Sequence, residues 1–184
     1  HKRASERTNE AFQKIIQKES FSVSGVLMIQ GDEPVLNPKL LDDLIVYHRS
    51  QKQQFVTNLI SEIKEKKEFE DLNIVKVVTN LKNEILYMSR SPIPSNPNFN
   101  NKLSMWKQLG LIIFSKEALL TYGNLDPTPL EQIESVDMNR FIEHGFKIST
   151  FSTNEISQAV DTKKDIEIVE KILLKDKLVS SYIK

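Results

Sequence analysis

The segment that most narrows what this chain can fold into is a strand, a helix and a second strand within about 35 residues. Residues 25–29, Gly-Val-Leu-Met-Ile, are a short apolar run flanked by glycines, the pattern of a parallel strand covered on both faces and central in its sheet. Pro38 suits a first helical position, and Leu40, Leu41, Leu44, Ile45 and His48 then share one face of a helix reaching about Ser50. Residues 55–60 return as a strand. A βαβ unit of this kind has an almost invariably right-handed crossover, so the class is α/β.

The remaining segments extend that unit. Ser5 can cap a helix beginning at Glu6, with Phe12, Ile15 and Ile16 on one face. Residues 62–71 are dense in charge and read as a solvated connection or irregular helix without assigned chemistry. Residues 73–80 and 84–88 are rich in β-branched and aromatic side chains and predict a hairpin turning at Leu81-Lys82-Asn83. The proline-rich residues 91–97 predict a loop.

Residues 109–114 predict another buried strand and 116–122 a short helix. Thr128-Pro129-Leu130-Glu131 has the side chains of a capping box and launches a helix to about His144, ended by Gly145. Residues 147–152 predict a last strand, and residues 162–175 a helix on Ile166, Val169, Ile172 and Leu173. The expected organisation is one domain over residues 1–184.

Charge and composition exclude several functions. The chain carries 25 basic and 25 acidic residues, so no global field gathers nucleic acid. Without cysteine there are no disulfides, thiolate nucleophiles or thiolate-held metals, consistent with a cytoplasmic protein. Its apolar runs are far shorter than the roughly 20 residues a membrane helix needs. The opening His1-Lys2-Arg3 has neither an initiator methionine nor a signal-peptide core, so the chain reads as truncated at its start. Gly-x-x-x-x-Gly-Lys-Ser/Thr, Gly-x-Gly-x-x-Gly and Gly-x-Ser-x-Gly are all absent.

Chemistry in an open α/β sheet gathers beyond the carboxyl ends of strands. Asp32, in Gln30-Gly31-Asp32-Glu33-Pro34, falls there and is either a turn residue or a ligand for a hard cation such as magnesium, which takes one or two carboxylates. Asp161 precedes a helix that Thr162 can cap with Asp165, which frees Asp161 for the crevice. Arg90, just past a strand end, suits a bidentate grip on a carboxylate or phosphate, or is a surface residue. On an unbroken helix from Thr128, Leu130, Ile133, Met138 and Phe141 mark one arc that also holds Glu134 and Asp137; Arg140 and nearby lysines would neutralise them, or the helix lines a polar site.

Five strings in register resemble the 3-deoxy-manno-octulosonate (Kdo) cytidylyltransferases, also called CMP-Kdo synthetases. They are Gln30-Gly31-Asp32-Glu33-Pro34, residues 73–78 (Asn-Ile-Val-Lys-Val-Val), residues 89–94 (Ser-Arg-Ser-Pro-Ile-Pro), residues 129–135 (Pro-Leu-Glu-Gln-Ile-Glu-Ser) and Val160-Asp161-Thr162. The resemblance implies a Rossmann-like nucleotidyltransferase fold of the nucleotide-diphospho-sugar transferase type. Its sheet is mixed and mostly parallel, with an antiparallel excursion over residues 81–128 used for sugar binding and homodimerisation. It implies transfer of CMP from CTP to the anomeric hydroxyl of Kdo or a close 3-deoxy-ulosonic acid, with release of pyrophosphate, for lipopolysaccharide or capsule synthesis.

Carried over residue by residue, Asp32 and Asp161 resemble the two magnesium ligands and, with Arg90, the catalytic set. Ser5, Arg7 and Gln30 resemble nucleotide contacts; Arg90, Gln108, Glu131 and Gln132 resemble sugar contacts. Three departures qualify the likeness. Arg3-Ala4 stands where the family has Ser-Gly, and Gln108 and Ile112 where it has a histidine and a tyrosine against the sugar. The family's first strand and Arg/Ser/Lys-rich triphosphate loop are expected upstream of His1. Two other readings stand beside this one: a cytidylyltransferase for an amino-substituted Kdo or a nonulosonic acid, and a non-catalytic fragment or dimerisation module.

Overall fold

The computed structural model describes residues 1–20, 22–51, 55–99, 103–155, 159–160 and 162–178. In chain order the elements are α1 (Ala4–Lys18), β1 (Gly25–Ile29), α2 (Pro38–Ser50), β2 (Val56–Glu62), α3 (Lys66–Glu70), β3 (Lys76–Thr79) and β4 (Ile85–Ser89). There follow β5 (Trp106–Ser115), α4 (Lys116–Asn124), α5 (Pro129–Glu134), α6 (Met138–Glu143), β6 (Ser149–Thr153) and α7 (Lys163–Leu173).

The sheet is organised by β5. Strands β1, β2 and β3 all pair with it antiparallel, while β6 pairs with β2 in parallel and β4 with β3 antiparallel. Hence β1, β2, β3 and β6 point one way and β4 and β5 the other, a mixed sheet in which the expected βαβ unit, β1-α2-β2, straddles an antiparallel strand. β2 occupies one edge of β5; β1, opposite residues 111–115, and β3, opposite residues 106–107, share the other.

The reading of β1 as a central strand is corrected. Among the described residues its one strand partner is β5. Its apolar run reflects covered faces, since Met28 packs into one hydrophobic cluster and Leu27 against another, and the covering of faces says nothing about edges.

Period-two alternation along β5 feeds both clusters. Ile112 and Phe114 join Phe12, Met138 and Phe141 under α1, α4 and α6, while Leu109, Leu111 and Ile113 meet Leu40 and Leu44 of α2. At the close approach of α1 to α4, a Cβ on Gly123 would come within 2.1 Å of the Asn9 amide, so any side chain there would displace Asn9. The β3–β4 hairpin reaches across to β6, where Ile85 N–H donates to Ile148 O and Thr150 N–H to Asn83 O, each at 2.8 Å.

A second correction concerns the helix expected from Thr128 to His144. The capping box forms, but the helix stops after Glu134 because Ser135 adopts left-handed backbone, φ 56°, and α6 starts afresh at Met138. The kink is held by one tertiary and one local bond, since Arg3 Nη1 donates to Ser135 Oγ at 2.5 Å and Val136 N–H to Glu131 O at 3.2 Å. The predicted arc is thereby split: Met138 and Phe141 are fully buried, whereas Ile133 is 78% exposed.

The split is testable. Phe141, ringed by Phe55, Phe114, Tyr122 and Phe146, should cost about 3–5 kcal/mol of unfolding free energy when replaced by alanine. Ile133→Ala should change it by no more than about 0.5 kcal/mol. Urea unfolding midpoints of the two variants check this, and similar losses would restore the unbroken helix.

Candidate functional site

Two strands cannot occupy the same stretch of one edge, so β1 and β3 part where they meet on β5. Gln30 N–H donates to Gly110 O at 3.0 Å as the last contact of the β1 segment, and Gln108 N–H donates to Val75 O at 2.9 Å as the first of the β3 segment. Between them the chain turns away at Gly31 and Asp32, and the Glu33 side chain folds back so that Oε1 accepts from Gly110 N–H at 3.2 Å. A cleft of about 1050 Å³ opens at this parting, with Gln30, Asp32, Arg90 and Gln108 among its lining residues. It lies beyond the carboxyl end of β1, where α/β sheets place ligands.

Asp32 occupies the turn, and its backbone oxygen accepts from Val160 N–H at 2.9 Å. Its Oδ1 is buried without a hydrogen-bond partner among the described residues. A buried anionic oxygen left unpaired is costly, and a hard cation is the partner that suits it. Asp161 lies outside the described residues; its neighbour Val160 is the residue docked on Asp32. No cluster of three acidic, histidine or cysteine side chains occurs among the described residues, but magnesium commonly takes one or two carboxylates, so Asp32 fits that cation.

Gln30 lies across the bare backbone of Gly110. A Cβ there would stand 2.9 Å from the Gln30 Cβ and 3.0 Å from its Oε1, so a side chain at position 110 would displace Gln30. Gln108 is held from below by Asn58, a buried residue of β2, whose Oδ1 accepts from Gln108 Nε2 at 2.7 Å.

Arg90 lines the cleft, but its guanidinium is largely engaged by backbone carbonyls. Nε donates to Glu134 O at 2.9 Å, Nη1 to Leu72 O at 3.2 Å and Asn73 O at 3.1 Å, and Nη2 to Ser135 O at 3.5 Å. With most of its five N–H groups so occupied, Arg90 in this arrangement offers the cleft positive charge rather than a free fork. Below it, Lys76 is fully buried and donates from Nζ to the carbonyls of Asp71, Ile74 and Arg90, tying the strand ends together. Burial pushes the Lys76 ammonium below its usual range.

Glu134 completes this corner. It accepts from Tyr87 Oη at 2.8 Å, Ser89 Oγ at 2.7 Å and Arg90 N–H at 2.9 Å. Burial alone would raise its carboxyl, but these donors and the Arg90 charge outweigh burial and hold it below the ordinary range. Asp137 lines the cleft and accepts from Ser5 N–H at 2.9 Å. The expected neutralisation of Glu134 and Asp137 by Arg140 does not occur. Arg140 is committed to Glu131 through Nε and Nη2, both at 2.7 Å, and to Glu6 at 3.0 Å, with Tyr122 beneath it.

The other expected contacts stand off the cleft. Ser5 is buried and reaches it only through Asp137, and Arg7 is exposed on α1. Glu131 is 1% exposed, with both carboxylate oxygens in the Arg140 pair and the capping box, and Gln132 is exposed. In this arrangement Glu131 serves the fold through Arg140 and Gln132 faces outward. Sequence reasoning missed Asn58, Glu33, Lys76, and also Lys64, Glu68 and Asp71, which line the cleft from the charged segment given no role. A lysine amid valines in β3 was the one signal present for Lys76.

The sequence profile of a family described as cytidylyltransferase matches residues 1–165. The chain is 35% identical over 160 residues to the 3-deoxy-manno-octulosonate cytidylyltransferase of Chloroherpeton thalassium, covering 85% of this chain and 64% of that protein. It is 33% identical over 181 residues to the protein of the same name from Thermodesulfovibrio yellowstonii, covering 94% and 70%. The chain thus spans about three-fifths of the first curated relatives, 64%, 62% and 58% of their lengths. A solved CMP:2-keto-3-deoxy-manno-octonic acid synthetase complexed with CTP superposes with a TM-score of 0.82 at 28% identity, over 95% of this chain and 69% of that one. The mixed α/β fold is that of this synthetase.

Glu134 gives the corner a pH signature. A carboxyl whose folded value lies below the ordinary 4.5 stabilises the fold above that pH, and the contribution is lost as pH falls through the folded value. Glu134→Gln should cost about 1–2 kcal/mol at neutral pH and flatten the decline of the melting temperature below about pH 4.5. Thermal melts from pH 3 to 7 check it; parallel declines in the two proteins would remove Glu134 from the account.

Proposed function

Because the chain belongs to the 3-deoxy-manno-octulosonate cytidylyltransferase family, we propose that it transfers CMP from CTP to the anomeric hydroxyl of Kdo or a close 3-deoxy-ulosonic acid. The anomeric oxygen forms a bond to the α-phosphorus, the bond from that phosphorus to the bridging oxygen breaks, pyrophosphate leaves, and the hydroxyl proton passes to solvent. The observation that carries the reading is the buried Oδ1 of Asp32, which lines the cleft and has no hydrogen-bond partner among the described residues.

Phosphoryl transfer asks a protein mainly to position groups and to neutralise charge. Asp32 and Asp161 would hold magnesium, which supplies neutralisation of the triphosphate and of the leaving pyrophosphate when bound. Gln30, held flat on Gly110, suits a nucleotide contact, and Gln108 and the Arg90 charge suit the sugar acid. Ser5 and Arg7 remain nucleotide-side candidates only if α1 approaches the ligand. Residues 81–128 are proposed to serve homodimerisation, the product to feed lipopolysaccharide or capsule synthesis, and the protein to work in the cytoplasm. Among the described residues no helix is long and apolar enough to cross a membrane.

Ile112 favours a second reading. It is 1% exposed and belongs to the core, so it brings no hydroxyl to the cleft where relatives are expected to have tyrosine. An amino-substituted Kdo or a nonulosonic acid would then be the acceptor.

The test is pyrophosphate release by the full-length protein with CTP, magnesium and a panel of ulosonic acids. Release with one of them is expected, and none with any would favour a non-catalytic module. Asp32→Asn and Asp161→Asn should each lower turnover by at least about a hundred-fold with the melt unchanged, a loss typical of removing one electrostatic group from such a site. Near-normal turnover in either variant would refute the metal role.

A further inference from the structure

We infer that Asn58 is a positioning residue that locks the Gln108 amide with its oxygen toward the cleft, so that this part of the site selects a ligand bringing a hydrogen-bond donor, a hydroxyl or an amine. The inference rests on the reading of the cleft as the sugar site.

The lock begins at two backbone carbonyls, which can only accept. Asn58 Nδ2 donates to Leu59 O at 2.8 Å and to Leu109 O at 3.4 Å, so the nitrogen of that amide is fixed on their side. Its oxygen must then face Gln108, where it can only accept, and Gln108 must answer with its nitrogen, Nε2, at 2.7 Å. The oxygen of a planar amide lies on the branch opposite its nitrogen. Gln108 Oε1 is thus directed away from Asn58 and has no protein partner among the described residues, while Gln108 lines the cleft. A flipped Gln108 would set oxygen against oxygen at a site where Asn58 is fully buried.

The arrangement follows from a bulge in β5. Between the pairs Asn58–Ile112 and Ile60–Gln108, β2 advances two residues and β5 four. The extra residues take Leu109 O out of the ladder, and it accepts from Asn58 Nδ2 at 3.4 Å instead of from a ladder N–H. The same bulge sits where β1 and β3 part, so the irregularity that opens the cleft also aims Gln108. Its neighbour Lys107 is paired with Glu68, which leaves the acceptor at Gln108 without a competing charge from that side chain.

The test separates aiming from mere support of the bulge. In the ligand-free full-length protein, the Gln108 side-chain NH2 signal, assigned by its loss in Gln108→Leu, should shift and exchange with solvent about ten-fold faster in Asn58→Ala. An unchanged signal overturns the lock whatever the enzyme does with sugar. In kinetics, Asn58→Ala should raise KM for the sugar acid about ten-fold with KM for CTP within about two-fold, and Gln108→Leu and the double variant should match it. Wild type should also lose about ten-fold in kcat/KM with one monodeoxy sugar that the variant does not discriminate. Equal rises in both KM values, or losses that multiply in the double variant, overturn the positioning role. Should Asn58→Ala not fold, Gln108→Glu, which has no N–H for Asn58, should give the same sugar-specific loss, and normal sugar KM there overturns the proposal. Absence of turnover by the wild type with every sugar removes the sugar claim with the reading it rests on, and the NMR result still decides the lock.

Discussion

Everything at the cleft depends on one edge of β5 serving two strands. β1 takes residues 111–115 of that edge and β3 residues 106–107, and both run in the same direction. The backbone groups between them, at Gln108 and Gly110, cannot be left unpaired in the interior. They are met by the last residue of the β1 segment, the first of the β3 segment and the Glu33 carboxylate. Satisfying the backbone therefore brings Gln30, Asp32 and Gln108 to one place, and the turn that follows β1 leaves a carboxylate oxygen of Asp32 facing no donor among the described residues.

Around this parting the loops are held by buried or half-buried charges rather than by apolar contacts alone. Lys76 gathers three carbonyls, Arg90 four, and Arg140 binds Glu131 and Glu6. Charges taken out of water are costly unless paired and fully hydrogen-bonded. Such pairing demands fixed geometry, which is what segments without regular secondary structure need if they are to present a rigid site. Arg90 and Glu131 accordingly act in the structure first as fasteners of the polypeptide, and only Arg90 retains a face toward the cleft.

Much of this was legible beforehand where the signal is local. The α2 face, the β3–β4 hairpin, the capping boxes at Thr128 and Thr162 and the α7 stripe follow from periodicity and cap chemistry, which depend on neighbours a few residues apart. The break at Ser135 was not legible, because its left-handed backbone is held by Arg3, more than a hundred residues away in the chain. Asn58 was hidden for a similar reason. Its role inside a buried strand is explained only by the bulge in β5 that it serves.

By itself the sequence determined the α/β class, the elements with strong periodicity, the family likeness, and Asp32 and Gln30 at a strand end. Tertiary structure decided which residues meet: that β1 lies beside an antiparallel β5, that Glu131 is paired with Arg140 while Glu134 holds the strand ends near Arg90, and that the Gln108 amide nitrogen is bound by Asn58. The physical reason is the range of the interactions. Helix periodicity and caps are settled within a few residues, whereas edge sharing, ion pairing and the direction of an amide are settled by groups that only folding brings together.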